Sequence, residues 1–150
     1  MKTKVLMVCL GNICRSPLAE GILKSKVDQD TVLVDSAGTA GYHVGNPPDE
    51  RSVVVAQKHG IDISHQRCRK FSERDFKEFD LIYAMDVSNF SNILHLAQSK
   101  EDEKKVKLLL DEVDLGINEV PDPYYGGPGG FEDVYQMINI ACDAIVKKLT

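Results

Sequence analysis

A chain of 150 residues, 43% of them hydrophobic, has the size of one domain around one core, and two full domains would be crowded at this length. With 27% of residues charged and a formal net charge of −5, it is neither composed like a disordered chain nor built to coat nucleic acid or an anionic membrane, so any anion it binds must be met by a local positive site. The four cysteines (Cys9, Cys14, Cys68, Cys142) are too scattered for a disulfide framework and no apolar run nears the ~20 residues of a membrane span, which together point to the cytoplasm.

The first apolar run, Val5 to Val8, follows Lys2 and Lys4 but is broken after Leu10 by Gly11, Asn12 and Arg15, so it reads as a buried strand rather than the core of a signal peptide. Further β-branched or apolar runs lie at Thr31 to Val34, Leu81 to Met85 and Val106 to Leu110, with segments of helical character between them. The alternation predicts an α/β fold of three layers, a four-stranded parallel sheet flanked by helices in the Rossmann-like manner, over 1–150 as a single domain. The first helix is expected to begin at Ser16-Pro17, with Ser16 as its N-cap and proline where its missing N–H costs nothing.

A second helix follows Pro47-Pro48 and ends at His59-Gly60, despite the β-branched run Val53-Val54-Val55. Ser72 and Asp75 resemble a capping box ahead of the third strand, and Val87 to Gln98 reads as the helix after it. The last helix carries an apolar stripe of Phe131, Val134, Tyr135, Ile138, Cys142, Ile145 and Leu149, which makes Cys142 a core residue. Before it, Gly126-Gly127-Pro128-Gly129-Gly130 reads as a flexible loop, just after Asp122-Pro123-Tyr124-Tyr125.

Ligands of doubly wound sheets bind where the carboxyl ends of the strands open. The residues there are Cys9 to Ser16, Asp35, Ser36, Asp86 and, after a longer loop, Asp122. Cys9 to Arg15 is C-x5-R, a spacing that can wrap backbone N–H groups around one tetrahedral anion and close the ring with a guanidinium. Leu10, Gly11, Asn12, Ile13, Cys14, Arg15 and Ser16 would form this cradle, with the positive end of the first helix aimed at it. Gly11 and Asn12 suit the positive φ angles of an inward-curled loop. In such a field a cysteine falls from ~8.5 to about 3.5–7.5, so Cys9 is expected as a thiolate aimed at phosphorus.

The same spacing recurs at Cys68 to Arg74, CRKFSER, but without glycine or a preceding strand, so that copy reads as surface chain. No Gly-Lys-Ser/Thr follows the first copy, which disfavours nucleoside triphosphate chemistry, and the histidines His43, His59, His65 and His95 form no metal-ligand pattern. No metal and no cofactor is expected.

VCLGNICRSPLAEG at 8–21, GNPPDER at 45–51 and DPYYGG at 122–127 together resemble the low-molecular-weight protein tyrosine phosphatases, and the likeness covers essentially the whole chain. The resemblance implies a phosphotyrosine phosphatase I type fold. It implies Cys9 as nucleophile, Arg15 as phosphate clamp and Asp122 as general acid and base, acting through a cysteinyl-phosphate on tyrosine-phosphorylated proteins and small aryl phosphates. It further implies that Ser16 steadies the leaving sulfur, that Asn12, Ser36 and His65 hold the loop's shape, and that Leu10 and Tyr42 wall the aryl pocket. Tyr124 and Tyr125, neighbours of Asp122, can also wall the site and are candidate phosphorylation sites. A monomer or weak homo-oligomer is expected.

Cys14 has two open readings, a redox partner that condenses with oxidised Cys9 or a small packing residue. Rival functions on the same scaffold are a thiol-linked arsenate reductase, which needs further relay cysteines, and a phosphorylarginine phosphatase, which Ile13 and the apolar walls disfavour. A non-catalytic phosphate-binding or redox-sensing module is the rival of another class, and Asp122 argues against it, because a binder has no use for a leaving-group acid.

Overall fold

The computed structural model describes residues 2–125 and 130–149, with the side chain of Tyr125 excepted. Four strands, β1 (Thr3–Cys9), β2 (Val32–Gly38), β3 (Leu81–Ala84) and β4 (Val106–Leu108), form one parallel sheet in the order β2-β1-β3-β4. The register pairs Val5 with Val34 and Leu81, Cys9 with Gly38, and Ala84 with Leu108. As expected for a strand covered on both faces, β1 is buried without interruption from Val5 to Cys9.

The two-residue period of β1 divides the core. Val5, Met7 and Cys9 face the larger cluster, built with Leu18 and Ile22 of α1 (Arg15–Lys26) and Ile138, Cys142 and Ile145 of α6 (Gly130–Leu149). Leu6 and Val8 face the smaller one, with Phe76 of α3 (Asp75–Glu78), Phe79, Ile82 and Ile93 of α4 (Val87–Leu94). Helix α2 (Glu50–Lys58) joins the larger cluster through Val55 and Ala56. Cys142 is fully buried, as its place on the stripe predicts.

The differences from expectation are local. Helix α1 starts two residues early: Cys14 rather than Ser16 occupies the N-cap, without a side-chain bond, which leaves Ser16 and Pro17 inside the first turn. Proline is tolerated there because first-turn N–H groups lack intrahelical partners anyway. The run after Val87 stops at Leu94, and a separate short helix, α5 (Lys100–Lys104), begins where Ser99 Oγ accepts from Asp102 N at 3.1 Å. Strand β4 ends at Leu108, and Leu109–Glu112 turns as a 3-10 helix; Leu109 and Leu110 are buried all the same, so apolarity alone hides the change of backbone. Gly130 opens α6, and 126–129 of the glycine-rich loop lie outside the described residues.

Sheet order reverses direction at β1, with β2 on one side and β3 on the other. The loop after β1 therefore sits at the switch point where such sheets bind ligands.

Candidate active site

Cys9 ends β1, and its Sγ lies 3.0 Å from Ser16 Oγ, already in helix α1. Between them the chain curls back through Asn12, the one non-glycine residue with positive φ (57°) among the described residues. Four polar contacts fix this residue. Its Nδ2 donates to Ser16 Oγ at 2.8 Å and Ser36 Oγ at 3.0 Å, its Oδ1 accepts from Arg69 N at 3.0 Å, and its carbonyl accepts from Cys68 Sγ at 2.7 Å. Ser36 passes the network on to the buried Glu20, at 2.7 Å. None of the backbone N–H groups of residues 11–15 donates to an acceptor among the described residues, which leaves a ring of donors at the positive end of α1.

Gly11 keeps a negative φ, so its role differs from the expected one. A Cβ there would lie 3.1 Å from His43 Cδ2; the bare backbone makes room for the opposite wall. Gly38, at the end of β2, is the tighter position: an added Cβ would meet Leu10 O at 2.9 Å and Asn12 N at 3.0 Å.

Cys68 to Arg74 is only in part the surface chain expected: Lys70, Ser72, Glu73 and Arg74 are exposed, but the rest is not. Cys68 and Phe71 are buried, Gly38 N donates to Arg69 O at 2.9 Å and Phe71 N to Gly38 O at 2.7 Å, so the segment straps the loop from outside. Arg69 is anchored in turn on Asp75 and Asp35. His65 is exposed and its electrostatic partner is Asp62, whereas the buried neighbour Gln66 donates to Pro17 O at 3.1 Å. Loop support thus comes from Gln66, Cys68 and Arg69 rather than His65. Their sequence signal is faint, since polar residues between helix and strand usually mean solvent.

Arg15 is almost wholly buried, and its Nη1 donates to Asp86 Oδ2 at 2.7 Å and Val120 O at 2.9 Å. Burial alone would lower its pKa; Cys9 and Asp86, with Asp122 adding, outweigh that and raise it. Arg15 Nη2 lies 3.7 Å from Asp122 Oδ2. Asp122 is held by Tyr124 N, which donates to its Oδ1 at 3.0 Å. Asp86, two residues beyond β3, also caps α4 by accepting from Asn89 N. It stood among the rim residues of the sequence, but its pairing with Arg15, 71 residues away, is visible only in the fold.

These groups border one cleft of ≈160 Å³. Cys9, Arg15 and Asp122 lie along it, and Leu10, Ile13, Tyr42, His43 and Tyr124 supply its walls. Tyr42 is 78% exposed and stands at the mouth. His43 was missed in the sequence, although it adjoins Tyr42. The side chain of Tyr125 lies outside the described residues.

The profile of the low molecular weight phosphotyrosine protein phosphatases matches residues 4–150. The chain belongs to this family. Among family members, the human low molecular weight phosphotyrosine protein phosphatase is 41% identical over 149 residues, 96% of this chain and 94% of its own length. The fission yeast Schizosaccharomyces pombe protein of the same name is 46% identical over 138 residues, 88% and 87% of the two chains. A crystal structure of a protein tyrosine phosphatase from Entamoeba histolytica, with Hepes in its active site, superposes with a TM-score of 0.93 at 37% identity, covering 99% of this chain and 97% of its own. YfkJ from Bacillus subtilis does so at 0.92 and 38%, covering 99% and 95%. The four-stranded α/β fold is the family's.

Proposed function

We propose that this family member hydrolyses phosphotyrosine in proteins, and small aryl phosphates, through a cysteinyl-phosphate, with 1–150 acting as a single domain. The observation that carries the reading is that a cysteine sulfur, a buried guanidinium and a carboxylate border one cleft whose walls are apolar and aromatic. A flat phenolic leaving group suits those walls better than a small alkyl one.

The phosphoryl group lies in the ring of backbone N–H groups, with Arg15 binding two of its oxygens. Asp86 and the Val120 carbonyl hold the guanidinium in place. Cys9 sulfur attacks phosphorus, the bond to the aryl oxygen breaks, and the protonated Asp122 carboxyl gives that oxygen its proton. In the second half, Asp122 takes a proton from water, the oxygen attacks phosphorus, the S–P bond breaks, and inorganic phosphate leaves. Ser16 is suited to steady the departing sulfur, because its oxygen already accepts from Asn12 and its proton has Cys9 Sγ at 3.0 Å as a nearer acceptor than Ala37 O at 3.5 Å. Asn12 and Ser36 keep the loop open.

Cys14 is a candidate redox partner for Cys9. Both thiols are free and buried, and both line the same cleft. Among the described residues no helix is long and apolar enough to cross a membrane; a cytoplasmic enzyme, monomeric or weakly self-associating, is our reading.

Turnover of an aryl phosphate by the wild type, Cys9→Ser and Asp122→Ala tests the assignment. Cys9→Ser is expected to be inactive yet to bind inorganic phosphate. Asp122→Ala should lose about 10²-fold or more on phosphotyrosine and far less on esters with good leaving groups. Normal turnover by Cys9→Ser would refute the mechanism.

A further inference from the structure

Arg51 has no part in the chemistry just described, yet it is held more tightly than an exposed arginine needs to be. Its Nε and Nη2 form a two-point bridge to Asp49, each at 3.0 Å. Its guanidinium lies 5.2 Å from the Tyr124 ring centroid and 4.7 Å from that of Phe131, the second residue of α6. Its remaining nitrogen, Nη1, donates to the Tyr124 carbonyl at 3.3 Å. Each partner belongs to a different element. Asp49 caps α2 and its N–H donates to Ile13 O at 2.8 Å, on the phosphate loop, while Tyr124 N holds Asp122 Oδ1.

The contacts make an unbroken chain from the phosphate loop to the carboxyl group, running Ile13, Asp49, Arg51, Tyr124, Asp122. The loop carrying Asp122 is also tied upstream at Val120, whose N–H donates to Met85 O at 2.8 Å and whose carbonyl accepts from Arg15. Asp122 itself is about a third exposed, and its ion pair to Arg15 is long at 3.7 Å. We propose that Arg51 is a positioning residue for the general acid: it fixes the 122–124 turn against the phosphate loop, so that the proton of Asp122 arrives where the leaving oxygen departs. This rests on Asp122 being that acid.

Planar, forked and stackable, the guanidinium can bridge a carboxylate, a carbonyl and two rings at once, which a lysine ammonium cannot do. Misplacing a catalytic group by about 1 Å costs as much as 10²-fold in rate. A positioning effect on an acid has a signature that general destabilisation lacks. It matters when the leaving oxygen is strongly basic and needs a proton, and it fades when the leaving group departs unaided. Loss of the anion cradle would instead slow all substrates alike.

The test compares Arg51→Met, which keeps the apolar stem, and Arg51→Lys, which keeps the charge, with wild type and Asp122→Asn. Each is assayed on phenyl phosphate and on 2,4-dinitrophenyl phosphate, with competition by inorganic phosphate measured alongside. For Arg51→Met, kcat/KM, which ends at formation of the cysteinyl-phosphate and so leaves out the later role of Asp122 as base, is expected to fall roughly tenfold on phenyl phosphate, with less than about twofold change on the dinitrophenyl ester and in phosphate affinity. Arg51→Lys should show the same selectivity in smaller measure. Equal losses on both esters in both variants, or no loss on either, would overturn the proposal while Asp122→Asn remains selective. If Asp122→Asn is itself indifferent to the leaving group, the acid assignment fails and this inference with it.

Discussion

Burial pushes the Cys14 thiol up to about 12, with the neighbouring Asp49, Cys9 and Asp122 adding to it. Burial likewise pushes Cys142 up to about 12 and Cys68 to about 11. Thiols held that high stay protonated at neutral pH and make poor nucleophiles, and this holds even for Cys14, which lines the same cleft as Cys9. Iodoacetamide at pH 7 is therefore expected to modify one cysteine of the folded protein, mapped to Cys9 by peptide mass spectrometry, and all four after unfolding in urea. Comparable labelling of Cys14 in the folded state would contradict this. The sequence announces Cys9 and Arg15 through their spacing and Asn12 through its tolerance of a left-handed backbone. It hides what holds them, because Ser36, Cys68 and Asp86 reach the loop across 24, 56 and 71 residues. Gly11 was misread for a related reason: a glycine can mark close approach of another chain segment as well as a positive φ, and His43 is that segment.

Helix α2 shows how an element prepares the site without entering it. Asp49 caps it by accepting from Arg51 N at 2.8 Å, while its own N–H fastens the phosphate loop. The hydrogen bond from the Arg51 side chain, more than the charge, holds the Asp49 carboxyl below its usual range against partial desolvation. A depressed carboxylate contributes stability that is present above its unfolded value, about 3.9, and is lost as pH falls through its folded value. Asn caps a helix as well as Asp, so Asp49→Asn isolates the charge. We expect it to cost roughly 0.5–1 kcal/mol in urea unfolding at pH 6, a modest figure because Arg51 is half exposed. The gap to wild type should begin to shrink as pH falls below ~3.9 and vanish only below the lower, folded value of Asp49; a gap unchanged with pH would exclude the ion pair as its source. Gly60, at φ 78°, ends this element where the sequence places its end, and the Val53-Val54-Val55 run is helical because Val55 is packed in the core. Tertiary burial overrides a weak propensity there. In the helix after β3 the period alone did not show where Leu94 ends one turn and Ser99 starts another.

At the scale of the whole molecule, β1 is shared property: alternate residues feed clusters on opposite faces, so neither face can lose its packing without disturbing the strand that ends in Cys9. This coupling was legible early, since the near-continuous apolar run Val5 to Val8 implies cover on both sides. The identity of the covering helices was not, because a period describes one element and not its neighbour. If 1–150 acts as one domain, damage on either face lowers one shared transition. Ile138, fully buried in the larger cluster, and Phe76, in the smaller, provide the comparison. Truncation to alanine is expected to cost about 2–5 kcal/mol for Ile138 and about 3–5 kcal/mol for Phe76. Urea unfolding followed by far-ultraviolet circular dichroism and by tyrosine fluorescence should give coincident single transitions for both variants, each at a lower midpoint than wild type. Separation of the two probes in either variant would mean that the faces unfold independently. The sheet would then be a boundary between two units rather than the centre of one.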